Sequence, residues 1–222
     1  MPQTMKKLGI IQFFSWFAFF TMWSLANPAL TEHVFQTPAP IESTYDMANV
    51  VQLEAFNDAN TAFQKSSNLV GSAMGVYGLS SMAFALILTF YTSKRRINRK
   101  LVHMFSLILG GLGFLYMNFT TPENLKYSFI LIGFAWGSIL SMPYAMLSSS
   151  IDANKMGVYM GLFNMFIVLP QIIAAIGGIN YAYKLIGEET IYSMIVAGIC
   201  LILAGLANLL IVNKKAIAYT ID

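Results

Sequence analysis

The chain has 222 residues, of which 57% are hydrophobic and only 10% are charged, and its formal net charge is +3. Soluble globular domains carry roughly 25% charged residues, so this composition excludes a water-soluble fold and indicates an integral membrane protein. The small net charge, with no basic patch interleaved with aromatic residues, also excludes a nucleic-acid partner.

Six stretches of mostly apolar residues are long enough to cross a bilayer, which takes about 20 residues in a helix. None of them has a charged residue in its middle, and together they predict an all-α integral membrane fold of six transmembrane helices. The predicted spans are residues 8–30, 66–92, 101–119, 127–151, 156–183 and 191–212.

Lysine and arginine are distributed unevenly between the connections. Ten of these 13 residues fall on one predicted side of the membrane, alternating correctly through all six spans. Because basic residues resist translocation, we expect a multi-pass protein of the cell membrane with both termini in the cytoplasm.

The longest connection, residues 31–65, is polar, acidic and predicted to lie outside. Leu53, Phe56 and Phe63 recur in it at near-helical spacing. This pattern leaves two interpretations open, a helix lying in the membrane interface and a flexible loop.

Polar residues in the middle of the spans fall on the first, second, fourth and fifth helices. The resulting order, two polar helices and then an apolar one, indicates a three-plus-three repeat, which in transporters places a binding site near the bilayer midplane. Aromatic rings in such a site would stack on a sugar-sized ligand, whereas amides and hydroxyls would hydrogen-bond it. Trp23 is a weaker candidate because tryptophan is common at the outer interface. The predicted binding residues are Trp16, Asn68, Tyr77, Tyr144, Asn164 and Gln171.

The alternative interpretation of these polar side chains is that they join neighbouring helices. Pro143 and Pro170 lie inside the fourth and fifth spans, where each frees one backbone carbonyl, so we predict a hinge at each. Small residues four apart predict close helix packing, or sliding surfaces for a rocking motion. They occur at Gly71 and Gly75, at Gly133, Gly137 and Ser141, and at Gly157 and Gly161.

Several chemical signatures are missing from the sequence. No span contains a central Asp, Glu, Lys or Arg, so a residue that carries a coupling ion is not expected in this chain. Nucleophile elbows, phosphate loops and metalloprotease motifs are lacking, and two histidines and one cysteine offer little for a metal site. We therefore expect no enzyme activity, no cofactor and no metal.

Three segments of the sequence carry more than hydrophobic composition. They are QFFSWFAFFTMW with NPALTEHVF, residues 12–23 and 27–35, then SILSMPYAMLSSSI, residues 138–151, and NKMGVYMGLFNMFIVLPQI, residues 154–172. They resemble the seventh, tenth and eleventh transmembrane helices of carriers of the major facilitator superfamily. Within it, the similar branch is that of sucrose transporters and glycoside–pentoside–hexuronide cation symporters.

The basic loop RRINRK, residues 95–100, is similar to the superfamily's cytoplasmic loop motif R-x-G-R-K, with Arg96, Arg99 and Lys100 in the motif positions. Asn98 departs from the motif because glycine is usual there. A plain basic loop that only sets topology is the alternative.

The resemblance implies that residues 1–222 form the C-terminal six-helix half of a twelve-helix carrier. A sugar or glycoside would bind between two halves that rock in alternating access, driven by a proton or sodium ion. The second half would be an N-terminal six-helix unit or a second copy of this chain. Two other function classes stay open, a homo-oligomeric passive facilitator or channel and a membrane partner subunit that does not transport.

Overall fold

The computed structural model describes residues 1–217, and within them 80% helix and no strand confirm the predicted all-α fold. The longer helices are joined by short connections and three single turns of 3₁₀ helix. The α-helices are α1 (Gln3–His33), α2 (Val50–Thr92), α3 (Arg99–Tyr116), α4 (Leu125–Ser148), α5 (Met156–Ile173), α6 (Ile179–Lys184), α7 (Tyr192–Ala207) and α8 (Lys214–Ile217).

Five helical segments in the described residues are long and apolar enough to cross a membrane. They are Gln3–His33, Val50–Thr92, Leu125–Ser148, Ala153–Lys184 and Tyr192–Leu210. α3 is not among them, since its first turn carries the charged residues Arg99 and Lys100. Its 18 residues are nevertheless about 27 Å long, close to the ~30 Å thickness of a bilayer core, and α3 packs between α4 and α7.

The second helix begins far earlier than the predicted span at residue 66. α2 runs without interruption for 43 residues, a length of about 64 Å. Asn49 caps its start, because the side-chain oxygen accepts a hydrogen bond from the backbone N–H of Val51 at 3.0 Å. Residues 50–65 are therefore helical, as their spacing indicates, but they continue α2. Neither a separate interfacial helix nor a flexible loop forms in that part of the connection.

The helices pack in the spatial order α2, α4, α3, α7, α1, α5, with α1 also touching α2 and α4. The close approaches depend on glycine. On α3, a Cβ at Gly111 would lie 2.8 Å from the carbonyl oxygen of Gly198 on α7, and a Cβ at Gly113 would lie 2.7 Å from that of Ser128 on α4. α1, α4 and α7 are each half-buried along their apolar stretches, whereas α2 is mostly exposed and its buried residues are Ser66, Val70 and Ser81.

The predicted fifth span is interrupted near its end. α5 passes through Pro170 and stops at Ile173, where one π-turn, Ala174–Gly178, leads into α6. Gly177 adopts φ +111°, a region that only glycine enters without strain. The break in the helix is therefore at Gly177, beyond the proline.

Candidate functional site

An aromatic cluster joins α1, α2 and α4. On α1, Trp16, Phe19 and Trp23 are spaced three and four residues apart and so share one face. Trp136 of α4 packs against all three, with ring centroids 5.6, 5.0 and 5.3 Å away. Tyr77 of α2 completes the group at 6.4 Å from Trp136. We call these five residues the aromatic site.

The aromatic site is buried on one side and accessible on the other. Phe19 is fully buried and meets Phe114 of α3 edge-on at 6.0 Å. Trp23 is 38% exposed, and its Nε1 donates a hydrogen bond to the hydroxyl oxygen of Tyr77 at 3.3 Å. The Nε1 of Trp16 is buried and has no hydrogen-bond partner among residues 1–217. Because an unpaired buried N–H is unfavourable, Trp16 offers a donor to an oxygen of a ligand or a water molecule.

Two of the five aromatic residues, Trp16 and Tyr77, were predicted from the sequence. Trp23 is a weaker candidate in the sequence and Phe19 is not among the predicted residues, although their spacing from Trp16 places both on the same helix face. Trp136 has no such signal, since it meets Trp16 only through the packing of α4 beside α1.

A second pair of predicted residues meets between α4 and α5. The hydroxyl of Tyr144 donates a hydrogen bond to Oδ1 of Asn164 at 3.3 Å. The Tyr144 ring also packs edge-on against Phe163, with centroids 5.7 Å apart. Tyr144 follows Trp136 by eight residues on α4, so this pair lies about 12 Å further along the helix.

The remaining two predicted residues, Asn68 and Gln171, lie neither in the aromatic site nor beside the Tyr144–Asn164 pair. Asn68 is exposed on α2, and its separation of nine residues from Tyr77 puts the two on opposite faces of the helix. Gln171 is half-buried on α5, and its side chain makes no hydrogen bond within residues 1–217.

The predicted hinge prolines are both buried inside continuous helices. α4 extends from Leu125 to Ser148 through Pro143, which directly precedes Tyr144. α5 extends through Pro170, which directly precedes Gln171. Each proline removes one backbone hydrogen bond beside a predicted binding residue.

The basic loop holds three helices together. Nη1 of Arg99 donates hydrogen bonds to the carbonyl oxygen of Ala145 at 3.1 Å and to Oγ of Ser149 at 2.7 Å, at the end of α4. Nζ of Lys100 donates to the carbonyl oxygens of Leu209 and Ile211, at 3.2 and 3.0 Å, just past α7. The two cations thus connect the start of α3 to the end of α4 and to the segment after α7, and a cation is favoured beside the carbonyls at a helix C-terminus.

The other two residues of the motif have different positions. Arg96 is exposed. Asn98 caps α3, because its side-chain oxygen accepts a hydrogen bond from the N–H of Leu101 at 3.1 Å. Asparagine is therefore well suited to the position that glycine usually holds in the motif.

No group of three or more His, Cys, Asp or Glu residues that could hold a metal ion occurs in the described part of the chain. Against known protein families, the sequence model of the Major Facilitator Superfamily matches residues 4–175 of the chain. No curated protein matches it.

Proposed function

Because the chain belongs to the Major Facilitator Superfamily, a family of membrane transporters, we propose that it forms one half of a secondary carrier for a sugar or glycoside. The family and the long apolar helices make it a multi-pass membrane protein with half of the superfamily's helical fold. Transport would proceed by alternating access, with a proton or sodium ion as the coupling ion. Within the superfamily, we propose the branch of sucrose transporters and glycoside–pentoside–hexuronide symporters.

The aromatic site is the observation that carries the proposal. A sugar ring has apolar C–H faces that pack on aromatic rings, and hydroxyl groups that require hydrogen bonds. The five rings provide the apolar packing surface. The unpaired Nε1 of Trp16 and the hydroxyl of Tyr77 provide hydrogen bonds for the sugar hydroxyls. All five side chains are uncharged, so a neutral ligand suits the site better than an ionic one.

The Tyr144–Asn164 pair supports a second contact region for a ligand longer than one sugar ring. It lies about 12 Å from Trp136 along α4, a distance that a disaccharide or a glycoside with its aglycone can cover. Neither place contains an ionisable group that would carry a coupling ion. The residue that carries the coupling ion would therefore belong to the second half of the carrier.

The second half, an N-terminal six-helix unit or a second copy of this chain, would pack on α2 and α5. These helices stand at the two ends of the packing order, and they carry glycines whose added Cβ would meet no atom within 4 Å. Faces of small residues allow transmembrane helices to approach closely. The glycines are Gly71, Gly75 and Gly78 on α2 and Gly157 and Gly161 on α5.

Intrinsic fluorescence tests the proposed ligand, because all three tryptophans of the chain lie in the aromatic site. Neutral mono- and disaccharides, alkyl glycosides and a sugar acid are titrated into the purified chain in lipid nanodiscs. We expect a saturable change with at least one neutral sugar or glycoside and none with the acid. Tyr77→Phe should weaken binding, whereas Tyr181→Phe, at an 80% exposed position, should not. The absence of any saturable response from a chain with intact helicity would contradict the proposal.

The packing of the second half is tested by enlarging the exposed glycines. Gly75→Leu and Gly161→Leu should not lower the thermal unfolding midpoint of the chain, since their Cβ atoms meet nothing. Both should reduce association between six-helix units, measured by resonance energy transfer in liposomes. Association at the original level in both variants would remove α2 and α5 from the interface.

A further inference from the structure

A groove of about 430 Å³ lies between the last turns of α2 and the start of α3. On α2, its lining residues are spaced three and four residues apart and so share one face of the helix. The first apolar residues of α3 form the opposite side. The apolar wall of the groove consists of Phe84, Ile87, Leu88, Tyr91, Leu101 and Val102.

The groove is apolar along the helices and charged where the helices end. Phe84 and Tyr91 mark its extent on α2 and are seven residues, or about 10 Å, apart. α2 ends at Thr92, directly after Tyr91, and Arg96 lines the groove from the connection beyond that end. An apolar stretch within the membrane with a polar group at its surface is the arrangement of a phospholipid.

The charges at this end of the groove are all positive. Residues 94–100 include five basic residues and no acidic one. Arg99 is used within the bundle, where its guanidinium binds the end of α4, and the guanidinium of Arg95 lies over the ring of Tyr91, 5.9 Å from the centroid. Arg96 is exposed, and no ion pair joins it to a carboxylate within residues 1–217. Its charge is therefore available to an anion from outside the chain.

The groove faces away from the proposed second half. With 3.6 residues per turn, the side of α2 that lines the groove is turned by roughly 160° from the side that carries Gly71 and Gly75. In the groove, Ile87 is 66% exposed and Tyr91 is 48% exposed. Because the chain spans a bilayer, this side of α2 is surrounded by lipid even when a second half packs on the glycines.

A groove of the same volume at the other end of α2 has a different charge. It is also about 430 Å³ and is lined on α2 by Leu69, Ala73 and Val76. Its two charged residues are Glu123 and Lys126, whose charges are opposite. Of the two grooves, only the one beside α3 thus combines an apolar wall with a purely positive end.

We propose that the groove between α2 and α3 binds an anionic phospholipid, with the phosphate on Arg96 and one acyl chain along the apolar wall. A guanidinium presents paired N–H donors in a geometry that matches phosphate oxygens. Basic groups beside a membrane-spanning helix attract anionic headgroups, and basic pockets between such helices bind them. This inference does not depend on which ligand the aromatic site takes.

Lipid retention tests the proposal. The purified chain is reconstituted in liposomes of equal parts phosphatidylcholine, phosphatidylethanolamine and phosphatidylglycerol, then released into a mild detergent, and the lipids that stay bound are counted by native mass spectrometry. We expect phosphatidylglycerol to be retained in preference to the other two. An excess of glycerol 3-phosphate, which has a phosphate but no acyl chain, should not displace it. Displacement would reveal a site for free anions and overturn the proposal.

Four variants separate the groove from a general attraction to the basic connection. Arg96→Gln should lower the retention of phosphatidylglycerol at least about fivefold, which corresponds to the ~1 kcal/mol that one basic residue gains at an anionic membrane surface. Lys94→Gln removes the same charge from the same connection outside the groove, and Lys126→Gln removes it at the other groove, so both should retain the lipid as the parent does. Ile87→Trp fills the groove and should lower retention with every charge intact.

Three results would overturn the proposal in variants of unchanged helicity. They are equal retention of the three phospholipids by the parent, an equal loss in Arg96→Gln and Lys94→Gln, and full retention in Ile87→Trp.

Discussion

The contact between α2 and α4 makes Gly133→Ala the most informative single change. A Cβ at Gly133 would lie 2.5 Å from the carbonyl oxygen of Tyr77, and 2.6 and 2.8 Å from Cβ and Oγ of Ser80. The nearest of these atoms belongs to the α2 backbone, so no side-chain rotation relieves the clash. The helices must separate by several tenths of an ångström.

Two opposing effects determine the size of the change. Overpacking of a well-packed contact costs about 1–3 kcal/mol. Alanine is favoured over glycine inside a helix by about 1 kcal/mol. We therefore expect Gly133→Ala to lower the free energy of unfolding by up to about 2 kcal/mol. The matched change Gly75→Ala, on a face with no atom within 4 Å, should raise it by up to about 1 kcal/mol.

Separation of α2 from α4 should also disturb the aromatic site. Tyr77 accepts the hydrogen bond from Trp23 at 3.3 Å, already a long bond, and it lies 6.4 Å from Trp136. Gly133→Ala should therefore weaken ligand binding, whereas Gly75→Ala should not.

Reversible unfolding in mixed micelles, followed by tryptophan fluorescence, measures the stability of both variants, and ligand titration measures the affinity. If Gly133→Ala stabilises the chain as much as Gly75→Ala does, the close approach of α2 and α4 is refuted. Unchanged affinity alongside a loss of stability would refute only the link between this contact and the site.

Three further changes test other parts of the structure. Trp136→Phe makes the ring smaller that contacts all four other members of the aromatic site. Ligand titration should therefore show binding weakened about tenfold, or ~1.4 kcal/mol. Full affinity in this variant would exclude Trp136 from the binding site. Asn164→Ala should raise the apparent KM for sugar uptake by the complete carrier, because it removes the partner of Tyr144, and unchanged kinetics would remove this pair from the binding cavity. Gly177→Ala places a side chain at φ +111° and should cost at least about 1–2 kcal/mol of unfolding free energy, whereas Gly157→Ala on the same span should not destabilise the chain.

The helices could be predicted from the sequence because the bilayer imposes their length. A backbone inside lipid must satisfy its own hydrogen bonds, so each apolar run of about 20 residues has to be helical. The same reasoning ends at the membrane surface. Residues 50–65 are mostly polar, and outside the membrane water can hydrogen-bond the backbone of a loop. The sequence therefore allows a loop there as well as the continuation of α2 that the structure contains.

The site could be predicted only where its residues share a helix. The face that carries Trp16, Phe19 and Trp23 follows from the helical repeat alone, and so does the position of Asn68 opposite Tyr77. The helical repeat therefore places Phe19 and Trp23 beside Trp16, and it excludes Asn68 from the face of Tyr77.

What the sequence determined by itself is thus the approximate position of each apolar stretch and the helix face on which each side chain lies, since both depend on local composition and geometry. What only the tertiary structure decided is which faces meet. Trp136 joins the rings of α1, and Arg99 reaches the end of α4, because glycines at the crossings allow α4 to approach α2 and α3 closely. Such contacts depend on the shapes of two helices at once, and the local pattern of either one does not contain them.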